Sequence, residues 1–295
     1  MTAGAPARWR VDLSLVLVTL IWGATFVLVK RALADVSTLL FLALRFAIAA
    51  FVLALVFRRQ FRAGPPVLPS LRAGVIAGCF LFTGYILQTF GLKYTSAANA
   101  GFITGLYIPL VPLLGALVFR KLPKLSEALG VVAAFAGMAL MTVKGGFADI
   151  NHGDLLVVAC SVVYAGHILV LGHFAAASNV QLLAFSQIAT GAAIGAGSFW
   201  WAETPKIEWT APVCIALAVT SLLATALAFV IQTWAQKYTS PTRTAIIFSL
   251  EPVFAWVTAW LVAGEVLSGR ALAGAFLILA GILCVELKPI RIGKR

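Results

Sequence analysis

Charge is scarce in this sequence. Only 11% of its 295 residues are Asp, Glu, Lys or Arg, where a soluble domain carries about 25%. A chain that is 62% hydrophobic cannot cover its apolar surface with so few polar groups. A water-soluble globule is therefore excluded, and residence in lipid follows. Cysteine is sparse as well. Cys79, Cys160, Cys214 and Cys284 all fall inside apolar runs and form no C-x-x-C, which argues against a disulfide framework and a cysteine metal site. No H-E-x-x-H, G-x-S-x-G elbow or phosphate-binding loop occurs, so the sequence implies no metal and no cofactor. The net charge of +12 raises the question of nucleic acid. Its basic residues lie between apolar runs with no aromatic-basic motif, so a nucleic-acid partner is not expected.

What the sequence has is apolar runs, ten of them, near the ~20 residues that a bilayer-spanning helix needs. They lie at about 11–30, 37–57, 71–92, 97–119, 126–143, 154–174, 179–201, 210–234, 241–263 and 268–287. The polar tips between them are short and leave no soluble domain. The first run holds Asp12, Trp22 and Lys30 and is long, so it reads as a spanning helix and not as a cleaved leader. The fold class is an all-α integral membrane protein with membrane lipid as its surroundings.

Lys and Arg are retained on the cytoplasmic side of a membrane. With the N-terminus inside, the inner segments hold Arg8, Arg10, Arg58, Arg59, Arg62, Arg72, Arg120, Lys121, Lys124, Lys237, Arg243, Lys288, Arg291, Lys294 and Arg295. The outer segments hold Lys30, Arg31, Lys93, Lys144, Lys206 and Arg270. Fifteen against six predicts cytoplasmic tails at 1–10 and 288–295.

The chain also repeats itself. Residues 88–96 read QTFGLKYTS and residues 232–240 read QTWAQKYTS, at an offset of 144. At the same offset Gly130 meets Gly274 and Gly137 meets Gly281. Earlier in the halves the offset is 142, where Asp12 meets Asp154 and Trp22 meets Tyr164. Residues 11–143 and 154–287 are thus expected to be two five-helix repeats. Five is odd, so the second copy enters from the opposite side and is inverted. Inverted repeats are a recurring design of secondary transporters, with the substrate site near the midplane between the halves. Two similar halves can exchange conformations, which gives inward-open and outward-open states of similar energy. A duplication retained only as scaffold is the bland alternative.

Pro109 and Pro112 fall in the fourth run and Pro252 in the ninth, its repeat equivalent. A mid-helix proline removes a hydrogen bond and kinks the helix, and paired interruptions point to a binding site. Packing kinks of this kind are also common in membrane helices. Residues three and four apart share a helix face. On the first helix these are Ser14, Val18, Trp22 and Thr25; on the sixth, Cys160, Tyr164 and His167. The third carries Leu81, Tyr85 and Gln88, and the eighth Thr225, Phe229 and Gln232. The fourth carries Thr104 and Tyr107, and the ninth Thr244, Phe248, Glu251 and Thr258. Aromatic stripes alone usually mean packing, and polar atoms on the same stripes shift the reading toward a cavity. The fifth and tenth helices are almost purely apolar and belong outside. The seventh, with Ser186, Gln187 and Thr190, is ambiguous. The spacings Gly101-x-x-x-Gly105 and Gly191-x-x-x-Gly195 allow close helix approach inside the bundle.

Arg45, Glu251 and His167 are the ionisable residues deepest in the runs. A charge at the bilayer centre costs at least ~3 kcal/mol and normally faces a partner or water. At 1.5 Å per residue, Glu251 lies roughly 16 Å from the inner end of its helix and Arg45 roughly 12 Å from the outer end of its own. An Arg45–Glu251 pair is compatible with those depths, as is a structural tie of Arg45 to backbone carbonyls. Glu251 is open to three roles: proton carrier, contact for a substrate amine, or helix lock. His167 can titrate near neutrality or serve as a hydrogen-bonded packing residue.

LIWGATFVLVK at 20–30, LRF at 44–46, LKYTSAANAG at 92–101, KYTSPTRTA at 237–245 and LEPVFAWVTAWLVAGE at 250–265 resemble the drug/metabolite transporter superfamily, in its EamA-domain branch. The resemblance covers nearly the whole chain as two EamA units. It implies ten helices, cytoplasmic termini, a central cavity for a small-molecule substrate and a place in the bacterial inner membrane. It leans toward the exporters of aromatic and neutral amino acids that also handle methyl viologen. Lys121 stands where the repeat would put an equivalent of Glu265, so that acidic residue belongs to the second half only. Sugar-phosphate carriers of the superfamily need cavity Lys or Arg, and Arg45 alone disfavours phosphorylated substrates. Alternatives are a carrier of polyamines, drugs or lipid-linked sugars on the same fold, a membrane-embedded enzyme, and a structural subunit.

Overall fold

With no water in hydrocarbon, each backbone N–H and C=O of a spanning segment must be satisfied internally, and the apolar runs do this as helices. The computed structural model describes residues 6–58, 67–118, 125–142 and 151–286. Its helices are α1 (Arg8–Ala32), α2 (Thr38–Phe57), α3 (Val67–Tyr94), α4 (Ala97–Thr104), α5 (Tyr107–Val118), α6 (Leu125–Thr142), α7 (His152–Phe174), α8 (Val180–Ser198), α9 (Ala211–Ser221), α10 (Ala228–Gln236), α11 (Pro241–Phe248), α12 (Glu251–Ala263) and α13 (Gly269–Glu286). Among the described residues eight segments are long and apolar enough to cross a membrane, with α4–α5, α9–α10 and α11–α12 each counted as one. The two remaining runs are α6 and α13, each of 18 residues. Every predicted run is a helix or a broken pair of helices. Arg59, Arg62, Arg120, Lys121, Lys124, Lys144, Lys288, Arg291, Lys294 and Arg295, used above for orientation, lie outside the described residues.

The repeated KYTS stretch has a local cause. Ser96 is the N-cap of α4 and its Oγ accepts from Asn99 N at 3.0 Å; Ser240, 144 positions on, caps α11 and accepts from Arg243 N at 3.1 Å. A side-chain oxygen there satisfies one of the donors that a helix start leaves unpaired. At α4 the Glu265 carboxylate reaches across from beyond α12 and takes two more, Ala97 N at 3.2 Å and Ala98 N at 3.0 Å. A left-handed Gly264 (φ 65°) ends α12 and turns the chain to present Glu265.

The proline breaks fall a few residues upstream of the prolines themselves. α4 gives way to α5 at Gly105–Leu106, and α11 to α12 at Ser249–Leu250, again 144 apart. A proline ring collides with the carbonyl four residues back, which for Pro109 is Gly105 and for Pro252 is Phe248. Tighter bonds replace the lost ones: Leu106 N to Ile103 O at 3.1 Å and Ile108 N to Gly105 O at 3.0 Å, then Ser249 N to Ile246 O at 3.1 Å. Pro112 sits inside α5 without breaking it.

Glycines let equivalent helices touch. A Cβ on Gly137 of α6 would lie 2.5 Å from Gly274 O of α13, and one on Gly281 of α13 would lie 2.5 Å from Gly130 O of α6. These are the same contact seen from each half. Gly101 and Gly105 bring α4 against Ala255 and Pro252 of α12, while Gly191 and Gly195 of α8 receive Phe46 and Ala43 of α2. Large apolar residues such as Phe51, Leu261 and Phe276 stay exposed on the outside of the bundle, where lipid covers them.

Candidate functional site

Six aromatic rings, one from each of six spans, form a closed belt in the middle of the bundle. Trp22 packs on Phe229 at 5.2 Å between centroids, Phe229 on Tyr85 at 6.2 Å, and Tyr85 on Tyr164 at 5.8 Å. Tyr164 then meets Tyr107 at 6.4 Å, Tyr107 meets Phe248 at 6.4 Å, and Phe248 returns to Trp22 at 5.0 Å. Tilted and edge-on contacts at these separations are the favourable aromatic geometries. All six rings line one cavity.

Polar groups meet the belt at few points. Tyr107 Oη donates to Glu251 Oε2 at 2.8 Å, both residues being buried. Each is the first residue after the break in its own half. Arg45 enters from α2: Nε donates to Thr225 Oγ1 at 2.7 Å and Nη2 to Tyr85 Oη at 3.0 Å, and the guanidinium carbon lies 4.3 Å from the Tyr85 ring centroid. Thr225 belongs to a wide π turn, Leu222–Leu227, between α9 and α10. The neighbouring carbonyl of that turn, Ala224 O, accepts from Trp22 Nε1 at 2.9 Å. Turns of this kind inside a helix recur at functional sites. Gln88 Nε2 donates to Thr104 Oγ1 at 3.1 Å. His167 Nε2 meets Gln187 Oε1 at 2.9 Å, and Gln187 Nε2 donates to Thr233 Oγ1 at 3.0 Å, tying α7, α8 and α10.

Of the residues expected from sequence, Trp22, Thr25, Tyr85, Gln88, Tyr107, Tyr164, His167, Phe229, Gln232, Phe248 and Glu251 line this cavity. Thr104 does not; it stands behind Gln88, fully buried. Pro109, Pro112 and Pro252 are not in the wall; Pro109 and Pro252 set the breaks that place Tyr107 and Glu251 there, and Pro112 sets none. Arg45 was expected to tie to backbone carbonyls or to pair with Glu251. It does neither: its partners are two side-chain oxygens, and no ion pair with a carboxylate exists for it among the described residues. Arg45 lines the cavity too, together with Phe26, Val29, Leu81, Thr89, Leu92 and Ile168. The repeat marked Thr25 and Phe26 as cavity positions through partners that also line it, but not Arg45, whose counterpart Gln187 does not. The offset of 142 that pairs Trp22 with Tyr164 pairs Thr25 with His167, Phe26 with Ile168, and Arg45 with Gln187.

Both halves of the chain match one family description. The EamA-like transporter family is recognised over residues 9–143 and again over 151–287. An uncharacterized transporter of Archaeoglobus fulgidus is 36% identical over 281 residues, which cover 95% of this chain and 87% of that protein. The uncharacterized transporter YoaV of Bacillus subtilis is 23% identical over 279 residues, covering 92% and 95%. A solved crystal structure shares the fold with a TM-score of 0.69 at 19% identity, covering 94% of this chain and 96% of the other.

Proposed function

The chain belongs to the EamA-like transporter family, and from that premise we propose that it exports aromatic and other neutral amino acids, or similarly small amphiphiles, by alternating access. The observation that carries this reading is the closed aromatic belt around a cavity whose wall also holds polar groups, Arg45 and Glu251 among them. Flat, apolar walls suit an apolar or aromatic side chain, and a few convergent polar groups fix the orientation of its polar end. Phosphorylated substrates do not suit a cavity whose wall holds one arginine and no lysine.

The breaks at Gly105–Leu106 and Ser249–Leu250 are the places where the two halves bend as the cavity changes sides. Two inverted units over 11–143 and 154–287 supply the two conformations. The protein resides in the inner membrane of a bacterium, with lipid around it, no nucleic-acid partner and both tails in the cytoplasm. The excess of basic residues on that side supports the orientation.

Counterflow into liposomes preloaded with single amino acids tests the reading. Uptake of labelled L-phenylalanine or L-leucine against the matching preload is expected, with empty liposomes silent. Uptake that polyamines or sugars stimulate and amino acids do not would replace it.

A further inference from the structure

Arg45 is a buried cation with no anion paired to it among the described residues. It is 3% exposed, and its two hydrogen bonds go to the neutral oxygens of Thr225 and Tyr85. A guanidinium carries five N–H donors in a planar fork that matches a carboxylate, so three are left over. Buried charges in membrane proteins pair with one another or mark the path of a ligand. Among the described residues of the same cavity wall the one carboxyl group, Glu251, is engaged instead with Tyr107. The two charged residues sit at separate stations on the belt, with Tyr164 between Tyr85 and Tyr107. Steps of 5.8 and 6.4 Å keep those two tyrosine rings within about 12 Å of each other.

We propose that Arg45 is the carboxylate-binding pole of the substrate site and Glu251 its ammonium-binding pole, so that the cavity selects zwitterions whose apolar side chain lies against the belt. This rests on the exporter reading above and names the chemistry of its substrate. Arg45 is fastened for that task. Thr225 and Tyr85 hold the fork from two sides, and Trp22 secures the same π turn through Ala224 O. A planar fork held in one orientation recognises a carboxylate bidentately, where a lysine would act as a point charge. One arginine is matched to the single negative charge of a carboxylate. Because the cavity provides one pole of each sign, an amine or an acid alone leaves a buried charge uncompensated, and sites built around such pairing reject the incomplete analogue strongly.

The test is competition for L-phenylalanine and L-leucine counterflow by the purified protein in liposomes. The competitors are phenethylamine and isopentylamine, which lack the carboxylate, and 3-phenylpropionate, which lacks the amine. In the wild type the amino acids are expected to compete at concentrations at least tenfold lower than either class of analogue. In Arg45→Gln the advantage of phenylalanine over phenethylamine is expected to fall to twofold or less, while phenethylamine competes at least as well as it does in the wild type. Equal competition by phenylalanine and phenethylamine in the wild type would overturn the carboxylate pole and leave the exporter reading standing. So would an Arg45→Gln protein that loses both equally, because that is the mark of a structural arginine. If Arg45→Gln does not fold, the wild-type series alone decides. If no amino acid drives counterflow at all, both readings fall together.

Discussion

Tyr107 donates its hydroxyl proton to Glu251, the residue that holds Tyr107's own place in the other half of the chain. Two residues related by an internal two-fold repeat can touch only where the halves cross, so this bond marks the axis. It also lies at the two helix breaks, where α5 and α12 begin. The scaffold around it is nearly symmetric and the chemistry on it is not: a phenol faces a carboxyl group, and Arg45 corresponds to Gln187.

Glu251→Gln separates the roles open to that residue. With Glu251 as the ammonium-binding pole, the KM for amino acids is expected to rise about tenfold or more, a loss of roughly 1.4 kcal/mol or more, at both of two imposed pH gradients. Loss of gradient-driven flux with normal substrate-for-substrate exchange would make Glu251 the proton carrier. Wild-type rates under both gradients would remove it from the site.

Tyr107→Phe removes only the hydroxyl. The Glu251 carboxyl group then loses its partner in a buried setting, which costs about 1–3 kcal/mol. Efflux is expected to fall with membrane abundance preserved. The same split between efflux and abundance is expected for Trp22→Ala, since Trp22 closes the belt between Phe229 and Phe248. Normal efflux, or loss of the protein itself, would reassign both residues to packing.

The α6–α13 seam is expected to tolerate no side chain. Gly137→Val or Gly281→Val places atoms against backbone at 2.5 Å, and overpacking of this kind costs about 1–3 kcal/mol or more. Thermal unfolding in detergent, read by fluorescence, should show a lowered Tm for both. Gly197→Ala is the control, because nothing lies within 4 Å of a Cβ there.

Sidedness is measurable by cysteine labelling in a background from which the native cysteines have been removed. Arg62→Cys should react only from the cytoplasm and Lys206→Cys only from outside. Reaction of both from one side would refute the inverted arrangement.

Most of the architecture was legible in the sequence because hydrocarbon permits so little else. Apolar runs of spanning length must be helices, and the ten expected ranges differ from the observed ones by only a few residues. The cavity was legible where polar atoms marked a stripe, as at Gln88 or Tyr164. Phe26, Val29 and Leu92 line it with no such mark. The place of each helix break was hidden because a proline acts on a carbonyl four residues away. The partners of Arg45 were hidden for a different reason. They depend on the π turn at Leu222–Leu227, which turns Ala224 and Thr225 toward Trp22 and Arg45, and nothing in the run ATALAF announces it.

The glycine seam between α6 and α13 has a consequence for how a duplicated carrier moves. If one half adopts the other's shape and the other adopts its, every contact in the first state becomes its repeat counterpart in the second. Gly137 against Gly274 O becomes Gly281 against Gly130 O, and both are already present. The seam is thus an invariant of the exchange and has no need to move. A contact whose repeat counterpart cannot form has no such protection. Lys30 bonded to the carbonyls of Leu92 and Thr95 is one, since Gly172, with no side chain, stands at the position that repeats Lys30. Under that exchange the self-mapped contacts would be the still frame, and the others the working parts.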